Sequence, residues 1–147
     1  MDFNIEKGDQ KRIVIVGGGF GGLELAKNLR KTGMQIVLID KHNYHQFQPL
    51  IYQVASAGME PSSISFPYRR IFQKYKNLYF RLAEVKQIDV KNKKVITSIG
   101  SVSYDYVVLA AGATSNFFGN KEIEKGSMAM KSLSEAARIR NTVFANI

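Results

Sequence analysis

The chain has 147 residues, 45% of them hydrophobic, and a domain of this size buries about 68–70% of the surface of its unfolded chain. It contains no Cys, which excludes a disulfide framework, a thiolate metal site, an iron–sulfur cluster and a cysteine nucleophile within these residues. The 21 Lys and Arg outnumber the 12 Asp and Glu and give a net charge of +9. Because the cations are scattered in ones and twos, this charge favours a solvated basic surface, or attraction to anionic lipid or a phosphate-rich ligand, over a nucleic-acid partner. No apolar run is long enough for a signal peptide or for the ~18 residues of a membrane span, so we expect a cytoplasmic protein.

The first forty residues predict a β-α-β unit. Residues 12–16 hold a β-branched run that ends in glycines, which is typical of a strand buried on both faces of a parallel sheet. Apolar residues at helical spacing predict a helix from Phe20 to about Lys31, and Gly33 stands where a helix-ending glycine belongs. Residues 35–39 predict a second buried strand, which completes the unit.

The rest of the chain departs from this alternation. Its predicted elements are a short helical stretch near 52–57, a helix from Pro67 to about Lys74, a strand at 78–82, a meander of strands at 85–90, 95–97 and 102–104 with turns at 92–93 and 100–101, a buried strand at 106–110, and a helix at 132–147 with Ser132 or Ser134 as N-cap. We therefore expect an α/β fold with a mainly parallel sheet and a three-stranded antiparallel meander.

Residues 17–22, Gly-Gly-Gly-Phe-Gly-Gly, fit the pattern G-x-G-x-x-G between a predicted strand and a predicted helix. In that pattern Gly17 permits the tight turn, Gly19 lets the backbone approach a pyrophosphate, and Gly22 lets the helix pack closely on the sheet. No Ser, Thr, Asp or Asn precedes the helix as an N-cap, so its first N–H groups are left for a phosphate. Asp40 ends the second strand, where the pattern places an acid on the ribose hydroxyls. The sequence therefore predicts a dinucleotide-binding turn of a kind that NAD and FAD sites share.

Two features resemble the FAD domain of the flavoprotein reductases that bind two dinucleotides. One is the long excursion and meander that separate the β-α-β unit from the strand and small-residue turn at residues 104–112. The other is the stretch IDKHNYHQFQPLIYQVASAG at residues 39–58, which is similar almost residue for residue to the type II NADH:quinone dehydrogenases. Disulfide reductases of the same superfamily carry a redox-active cysteine pair in this region, and this chain has none.

The resemblance implies a Rossmann-like FAD-binding domain with a defined set of cofactor contacts. By this resemblance Gly17, Gly18, Gly19, Phe20, Gly21 and Gly22 cradle the pyrophosphate, Asp40 and Lys41 hold the adenosine ribose, Pro49 and Leu50 lie near the isoalloxazine ring, Val85 meets the adenine through its backbone, and Ala111 and Gly112 form the turn near the pyrophosphate. Many relatives have Thr where this chain has Ala111.

No residue is identified as catalytic. His42 and His45 are expected to form hydrogen bonds within a loop rather than a metal site, since neither Cys nor a carboxylate cluster lies near them in the sequence.

In the resembled family this site belongs to an enzyme that passes electrons from NADH through FAD to a membrane quinone. The chain matches only the N-terminal part of such an enzyme, because it lacks a second G-x-G-x-x-G for NADH, the returning FAD strand and the C-terminal membrane-binding segment. Ile147 falls inside a helical pattern. We therefore expect a fragment that is inactive alone and prone to self-association through exposed apolar surface, from a protein bound peripherally to the cytoplasmic face of the membrane.

Two alternatives stay open. One is a stand-alone nucleotide-binding or regulatory module, for which the reading frame would stop at residue 147 instead of continuing into a second glycine motif. The other is a fragment of a related quinone reductase such as a sulfide:quinone oxidoreductase, which is weakened because these residues contain no Cys.

Overall fold

A computed structural model describes residues 3–146 of the chain. Met1 and Asp2, which begin the segment predicted to lack a signal peptide, and Ile147, predicted as helical, lie outside the described residues. In chain order the elements are β1 (Arg12–Val16), α1 (Phe20–Asn28), β2 (Gln35–Asp40), β3 (Tyr44–Gln46), α2 (Ile51–Ala55), β4 (Ser65–Pro67), α3 (Tyr68–Phe72), β5 (Leu78–Leu82), β6 (Val85–Asp89), β7 (Lys94–Thr97), β8 (Gly100–Ser103), β9 (Tyr106–Leu109), α4 (Lys121–Gly126) and α5 (Leu133–Phe144). Short 3₁₀ helices lie at Leu29–Lys31, Gln48–Leu50 and Pro61–Ile64.

The described chain forms two units. The first contains residues up to 45 together with 67–112, and it holds the long strands with α1 and α3. The second contains residues 46–66 together with those from 113 onward, and it holds α2, α4 and α5. The short strands β3 and β4 form a two-stranded sheet.

A parallel sheet with the strand order β5-β2-β1-β9 is the centre of the first unit. All five residues of β1 are buried, and successive side chains point to opposite faces of the sheet. Ile13 and Ile15 pack with apolar residues of α1 and α3, whereas Val14 and Val16 pack with apolar residues of β7 and β8. The predicted α/β fold is therefore confirmed, with helices on one face of the parallel sheet and the antiparallel sheet β6-β7-β8 on the other.

Two details of the predicted strands are wrong. The turn predicted at residues 100–101 lies at 98–99, because Gly100 pairs with Thr97 and opens β8. β9 was predicted as a buried strand, but it is an edge strand of the described sheet, with Tyr106 54% and Leu109 67% exposed. An apolar sequence such as Tyr-Val-Val-Leu predicts a strand without revealing whether a neighbour covers both of its faces.

In the second unit α2 and α5 pack against each other, with Val54 and Ala136 fully buried. α5 begins at the predicted N-cap Ser132, whose hydroxyl accepts from the Glu135 N–H while the Glu135 carboxylate accepts from the Ser132 N–H at 2.8 Å. The Gln46 side chain hydrogen-bonds to the backbone on both sides of this cap. The short helix α4 has no counterpart among the predicted elements. Among residues 3–146, no helix is long and apolar enough to cross a bilayer.

Arg12, the first residue of β1, is a buried cation that joins three parts of the first unit. Its Nε donates to the side-chain oxygen of Gln35 in β2, its Nη1 lies 3.1 Å from the hydroxyl of Ser103 in β8, and its Nη2 donates to the Ile5 carbonyl at 2.8 Å. Burial lowers the pKa of the Arg12 guanidinium, an effect that the nearby Asp105 opposes. These hydrogen bonds compensate the cost of burying the charge and tie the start of the sheet to the N-terminal segment and the meander.

Asp105 anchors the same region from the surface. Its carboxylate accepts from the backbone N–H of Arg12 at 2.7 Å and pairs with Lys7 at 2.9 Å and Lys11 at 3.7 Å. The Arg12 N–H first, and then Lys7, lower the pKa of Asp105 from 3.8 to about 2. A carboxylate with a lower pKa in the folded state stabilises the fold above its unfolded-state pKa, and this contribution is lost as the pH falls through the folded-state pKa.

We therefore expect Asp105→Asn to be less stable than the unmodified chain at about pH 5, and the difference to shrink as the pH falls from 3.8 to about 2. Urea unfolding across this range measures the difference. Asp9→Asn is the matched control, because it removes an exposed carboxylate from the same N-terminal segment. A stability difference for Asp105→Asn that stays constant with pH would contradict the assignment of the ion pairs.

Candidate functional site

The predicted site residues of the first unit follow the parallel strands at the carboxyl edge of the sheet. In the sheet register Val16 pairs with both Ile39 and Leu109, so β1, β2 and β9 end side by side. The glycine loop, defined as residues 17–22, follows β1, and Asp40 is the last residue of β2. Open parallel sheets bind their ligands outside the carboxyl ends of the strands, so this edge is the candidate functional site.

Gly17 makes the turn out of β1 with a φ of +101°, a conformation that glycine adopts without the steric cost that other residues meet. Its N–H donates to the carbonyl of Ile39 at 2.8 Å. A Cβ at Gly17 would overlap the carbonyl of Ala110. Gly17 is therefore required both by the turn and by the close approach of the chain that follows β9.

Gly22 and Gly19 serve the start of α1 in different ways. A Cβ at Gly22 would overlap the carbonyl oxygen of Gly17 and lie 3.3 Å from Cγ2 of Ile15, so only glycine lets the helix begin this close to the sheet. Gly19 is the N-cap, and a Cβ added there would meet nothing within 4 Å. Because a glycine cap has no side chain, the N-terminus of α1 has no side-chain cap and presents the positive end of the helix dipole to open space.

Three side chains fix the peptide groups on either side of Gly18. The Gly18 N–H donates to Oδ2 of Asp40 at 2.6 Å. The Gly18 carbonyl accepts from the Tyr68 hydroxyl at 2.6 Å, and Nδ1 of His45 lies 3.1 Å from the same oxygen. A carbonyl oxygen can only accept, so Nδ1 of His45 carries the proton in this contact. A Cβ at Gly18 would overlap the Tyr68 ring. Gly18 occupies an unspecified position of the pattern, and packing nevertheless constrains it as it does Gly17 and Gly22.

Tyr68 is the residue of this site that the sequence analysis missed. It begins α3, 50 positions after Gly18, and no spacing rule connects the two. Burial, followed by the negative charge of Asp40, raises the pKa of the Tyr68 hydroxyl. The hydroxyl therefore keeps its proton near neutral pH and acts as a donor to Gly18.

His45 forms the loop hydrogen bond that the sequence predicts. It is buried, and its ring meets the ring of Phe20 edge-on with centroids 5.2 Å apart. Within residues 3–146 there is no group of three His, Cys, Asp or Glu that could hold a metal ion. Through its contact with the Gly18 carbonyl, His45 supports the glycine loop.

Asp40 is held at the end of β2 by both of its oxygens. Oδ2 accepts from Gly18 and Oδ1 accepts from the N–H of His42 at 2.7 Å. A carboxylate offers about four lone-pair sites, so the side chain is positioned by the protein and still has acceptor capacity for hydroxyl donors. Asp40 is half-buried, which leaves it accessible beside the glycine loop.

The remaining predicted contacts fall in both units. In the first unit they are Lys41, exposed after β2, Val85, which begins β6, and Ala111 and Gly112, both exposed after β9. In the second unit they are Pro49 and Leu50, in the 3₁₀ helix that leads into α2. The first unit therefore brings together the glycine loop, Asp40 and the turn after β9, while the two residues predicted near the flavin ring belong to the second unit.

The groups at the carboxyl edge have the chemistry that an ADP moiety requires. The uncapped N-terminus of the nine-residue helix α1 suits phosphate oxygens. The fixed Asp40 carboxylate suits ribose hydroxyls. A side chain at Gly19 would project into open space beside the helix end, so glycine leaves that space free for a ligand. The residues present therefore fit the ADP half of a dinucleotide such as FAD.

Comparison with known proteins assigns the chain to a family. The family described as pyridine nucleotide-disulphide oxidoreductase matches residues 11–144. The chain belongs to this family. The 147 residues contain no Cys, so no disulphide lies within them.

Curated relatives are oxidoreductases of quinones by name. The chain is 37% identical over 141 residues to the type II NADH:quinone oxidoreductase NdhA of Mycobacterium tuberculosis. This alignment covers 93% of the chain and 30% of that protein. The chain is also 34% identical over 146 residues to the mitochondrial external alternative NAD(P)H-ubiquinone oxidoreductase B2 of Arabidopsis thaliana. This alignment covers 92% of the chain and 25% of that protein. The resemblance to type II NADH:quinone dehydrogenases is thereby confirmed, and the chain spans less than a third of the length of these relatives.

Solved structures share the fold. The sulfide:quinone oxidoreductase from the hyperthermophilic bacterium Aquifex aeolicus matches with a TM-score of 0.84 and 29% identity, covering 92% of the chain and 32% of that structure. NDH2 from Plasmodium falciparum matches in fold with a TM-score of 0.80 and 24% identity, covering 89% of the chain and 28% of that structure.

Two glycines of the loop give a direct test of its geometry. We expect Gly22→Ala to lower the free energy of unfolding by about 1–3 kcal/mol, since the added methyl meets the backbone of Gly17, which cannot move aside easily. Gly21→Ala is the matched control, because a Cβ there meets nothing within 4 Å. Alanine favours the helix by up to about 1 kcal/mol over glycine, so the stability of Gly21→Ala should be unchanged or higher. Chemical denaturation of both variants without nucleotide provides the measurement, and equal losses of stability would refute this geometry.

Proposed function

We propose that this chain is the part of an FAD-dependent NADH:quinone oxidoreductase that binds the pyrophosphate and adenosine of FAD. The observation that carries the proposal is the juxtaposition of an uncapped helix N-terminus with a carboxylate fixed by backbone hydrogen bonds at the next strand end. The long excursion and meander before the turn at residues 104–112, which resemble the FAD domain of flavoprotein reductases, support FAD rather than NAD at this edge of the sheet. The relatives are NADH:quinone and NAD(P)H-ubiquinone oxidoreductases by name, which supports the proposed electron donor and acceptor of the longer protein.

Each residue of the site has a proposed task. The backbone of the glycine loop receives the pyrophosphate, with Gly17 next to the Ala111–Gly112 turn. Asp40 accepts hydrogen bonds from the adenosine ribose hydroxyls, and Lys41 lies beside it. The backbone at Val85 meets the adenine. Pro49 and Leu50 approach the isoalloxazine ring.

Tyr68 and His45 support this binding from the buried side of the loop. By holding the Gly18 carbonyl, they fix the orientation of the peptide that precedes Gly19. A preorganised loop binds a ligand more tightly than a mobile one, because less conformational entropy is lost on binding. Neither side chain needs to touch the cofactor for this effect.

Bound FAD would supply the redox chemistry, taking electrons from NADH and passing them to a quinone. The chain supplies position and electrostatics for the cofactor. It contains no second G-x-G-x-x-G motif, so we propose that NADH and the quinone bind elsewhere in a longer protein and that this chain alone is inactive. That protein would be peripheral on the cytoplasmic face of the membrane.

A second candidate function comes from the similarity to the Aquifex aeolicus sulfide:quinone oxidoreductase. In that case the site would hold FAD in the same way, and the electron donor of the longer protein would be sulfide. The absence of Cys from these residues favours NADH. A longer reading frame that contains a second glycine motif would contradict the stand-alone module, and Cys residues further along that frame would favour the sulfide enzyme.

Titration of the chain with FAD and with ADP, followed by calorimetry, tests the proposal. We expect both ligands to bind, and Asp40→Ala to weaken the binding of FAD by about 1–3 kcal/mol, because hydrogen bonds to a charged group are lost. This corresponds to an affinity that is about 5 to 150 times weaker. A longer chain that includes the rest of the FAD site should purify with flavin absorbance.

Asp9→Ala is the control for Asp40→Ala, since it removes a carboxylate of the same charge from an exposed position. Thermal unfolding of both variants separates a loss of binding from a loss of the fold, because Asp40 also anchors the Gly18 and His42 N–H groups. An unchanged FAD affinity in folded Asp40→Ala, or a colourless longer chain that binds NADPH at this site, would contradict the proposal.

A further inference from the structure

A pocket lies at the edge of the parallel sheet opposite the glycine loop. It is a pocket of about 720 Å³, a size within the range of small-molecule sites. Gln10, Gly33 and Asn77, which stand before β1, β2 and β5 respectively, form part of its lining. Since a five-residue strand is about 16 Å long, the pocket is separated by the length of the sheet from the glycine loop.

Five cations line this pocket, and no acidic residue does. They are Arg30, Lys31, Arg70, Lys74 and Lys76. None of the five forms an ion pair with a residue in the part of the chain that the structure describes. In contrast, Lys7, Lys11, Lys27, Lys86 and Arg140 all lie within 4.0 Å of a carboxylate. Five cations of the first unit that have no ion pair with a described residue therefore meet at one pocket, although the cations look scattered in the sequence.

Helix ends account for only part of this concentration. The 3₁₀ helix after α1 contains Arg30 and Lys31 in its last turn, where cations are favoured by the negative end of a helix dipole. The last turn of α3 likewise contains Arg70. Each of these ends carries about half a negative charge, which is small against five cations. Lys76 lies outside any helix, so no helix dipole explains its presence.

Aromatic and amide groups complete the pocket. The Arg30 guanidinium lies 5.8 Å from the centre of the Tyr75 ring, and its Nη1 is 3.4 Å from the Tyr75 hydroxyl. This contact holds one cation in place before any ligand arrives. Gln10 and Gln73 add neutral hydrogen-bonding side chains to the lining. Guanidinium and ammonium groups with neutral donors around them are the set that binds phosphate oxygens.

We propose that this pocket binds the phosphate groups of a polyanionic ligand, at a site separate from the dinucleotide site. The ligand chemistry is two or more phosphates within reach of five cations, and it is available from a soluble polyphosphate compound or from anionic phospholipid headgroups. The proposal does not depend on FAD binding, because the two sites lie at opposite edges of the sheet.

The test uses inorganic tripolyphosphate as the soluble probe and two kinds of vesicle as the lipid probe, phosphatidylcholine with phosphatidylglycerol and phosphatidylcholine alone. Nuclear magnetic resonance of the ¹⁵N-labelled chain locates the binding. We expect at least one anionic probe to shift the amides of residues 30–33 and 70–77. The variant Lys31→Gln/Lys74→Gln/Lys76→Gln should bind that probe at least about ten times more weakly than the unmodified chain does, since three charge-assisted contacts are removed.

Lys91→Gln/Lys121→Gln/Lys125→Gln is the matched control, because it removes the same charge from exposed positions that do not line the pocket. Binding that follows the pocket variant but not the control supports the proposal, and the probe that binds identifies the soluble or the lipid source. Three results would overturn the proposal: no binding of either anionic probe, equal weakening in both triple variants, or amide shifts confined to the glycine loop.

Discussion

The candidate site depends on the way the peptide groups of Gly18 are held. The N–H donates to Asp40, and the carbonyl accepts from Tyr68 with His45 beside it. These contacts join residues that are far apart in the sequence, at the ends of β1 and β2 and at the start of α3. They set the direction of the chain as it enters α1, and therefore the direction in which the open helix end points.

Close backbone packing is the second constraint on this edge of the sheet. Gly17 lies against the chain after β9, and Gly22 lies against the carbonyl of Gly17. The interior of a protein has no room for an extra methyl group at such contacts. The glycine pattern is thus a packing requirement of the fold in addition to its proposed role in binding, and substitutions in it separate into those that disturb the fold and those that do not.

The sequence allowed the main elements to be predicted because they depend on local patterns. The β-branched runs predicted β1 and β2, and Ser132 was one of the two residues predicted as the N-cap of α5. The glycine pattern with Asp40 predicted the candidate site. The exposure of β9 was not predictable, since an apolar strand does not reveal whether a neighbour covers it. The role of Tyr68 was also missed, because its partner lies 50 positions away.

The net charge of the chain could be read from the sequence, but the clustering of its cations could not. The +9 charge is visible from composition alone, but pairs of cations that are separated in the sequence meet at one pocket only after folding. Lys31 and Lys74 are brought to the same lining by the β-α-β unit and by α3. A sequence pattern therefore indicated a possible phosphate-rich ligand without indicating where it would bind.

The central claim is that the carboxyl edge of the parallel sheet receives the ADP half of FAD. A titration of the ¹⁵N-labelled chain with FAD, followed by amide chemical shifts, tests it most directly. The account predicts that the largest shifts fall on residues 17–22 and on the residues next to Asp40 and Gly112, and that ADP reproduces them. Shifts confined to other residues, or none at saturating FAD, would contradict it.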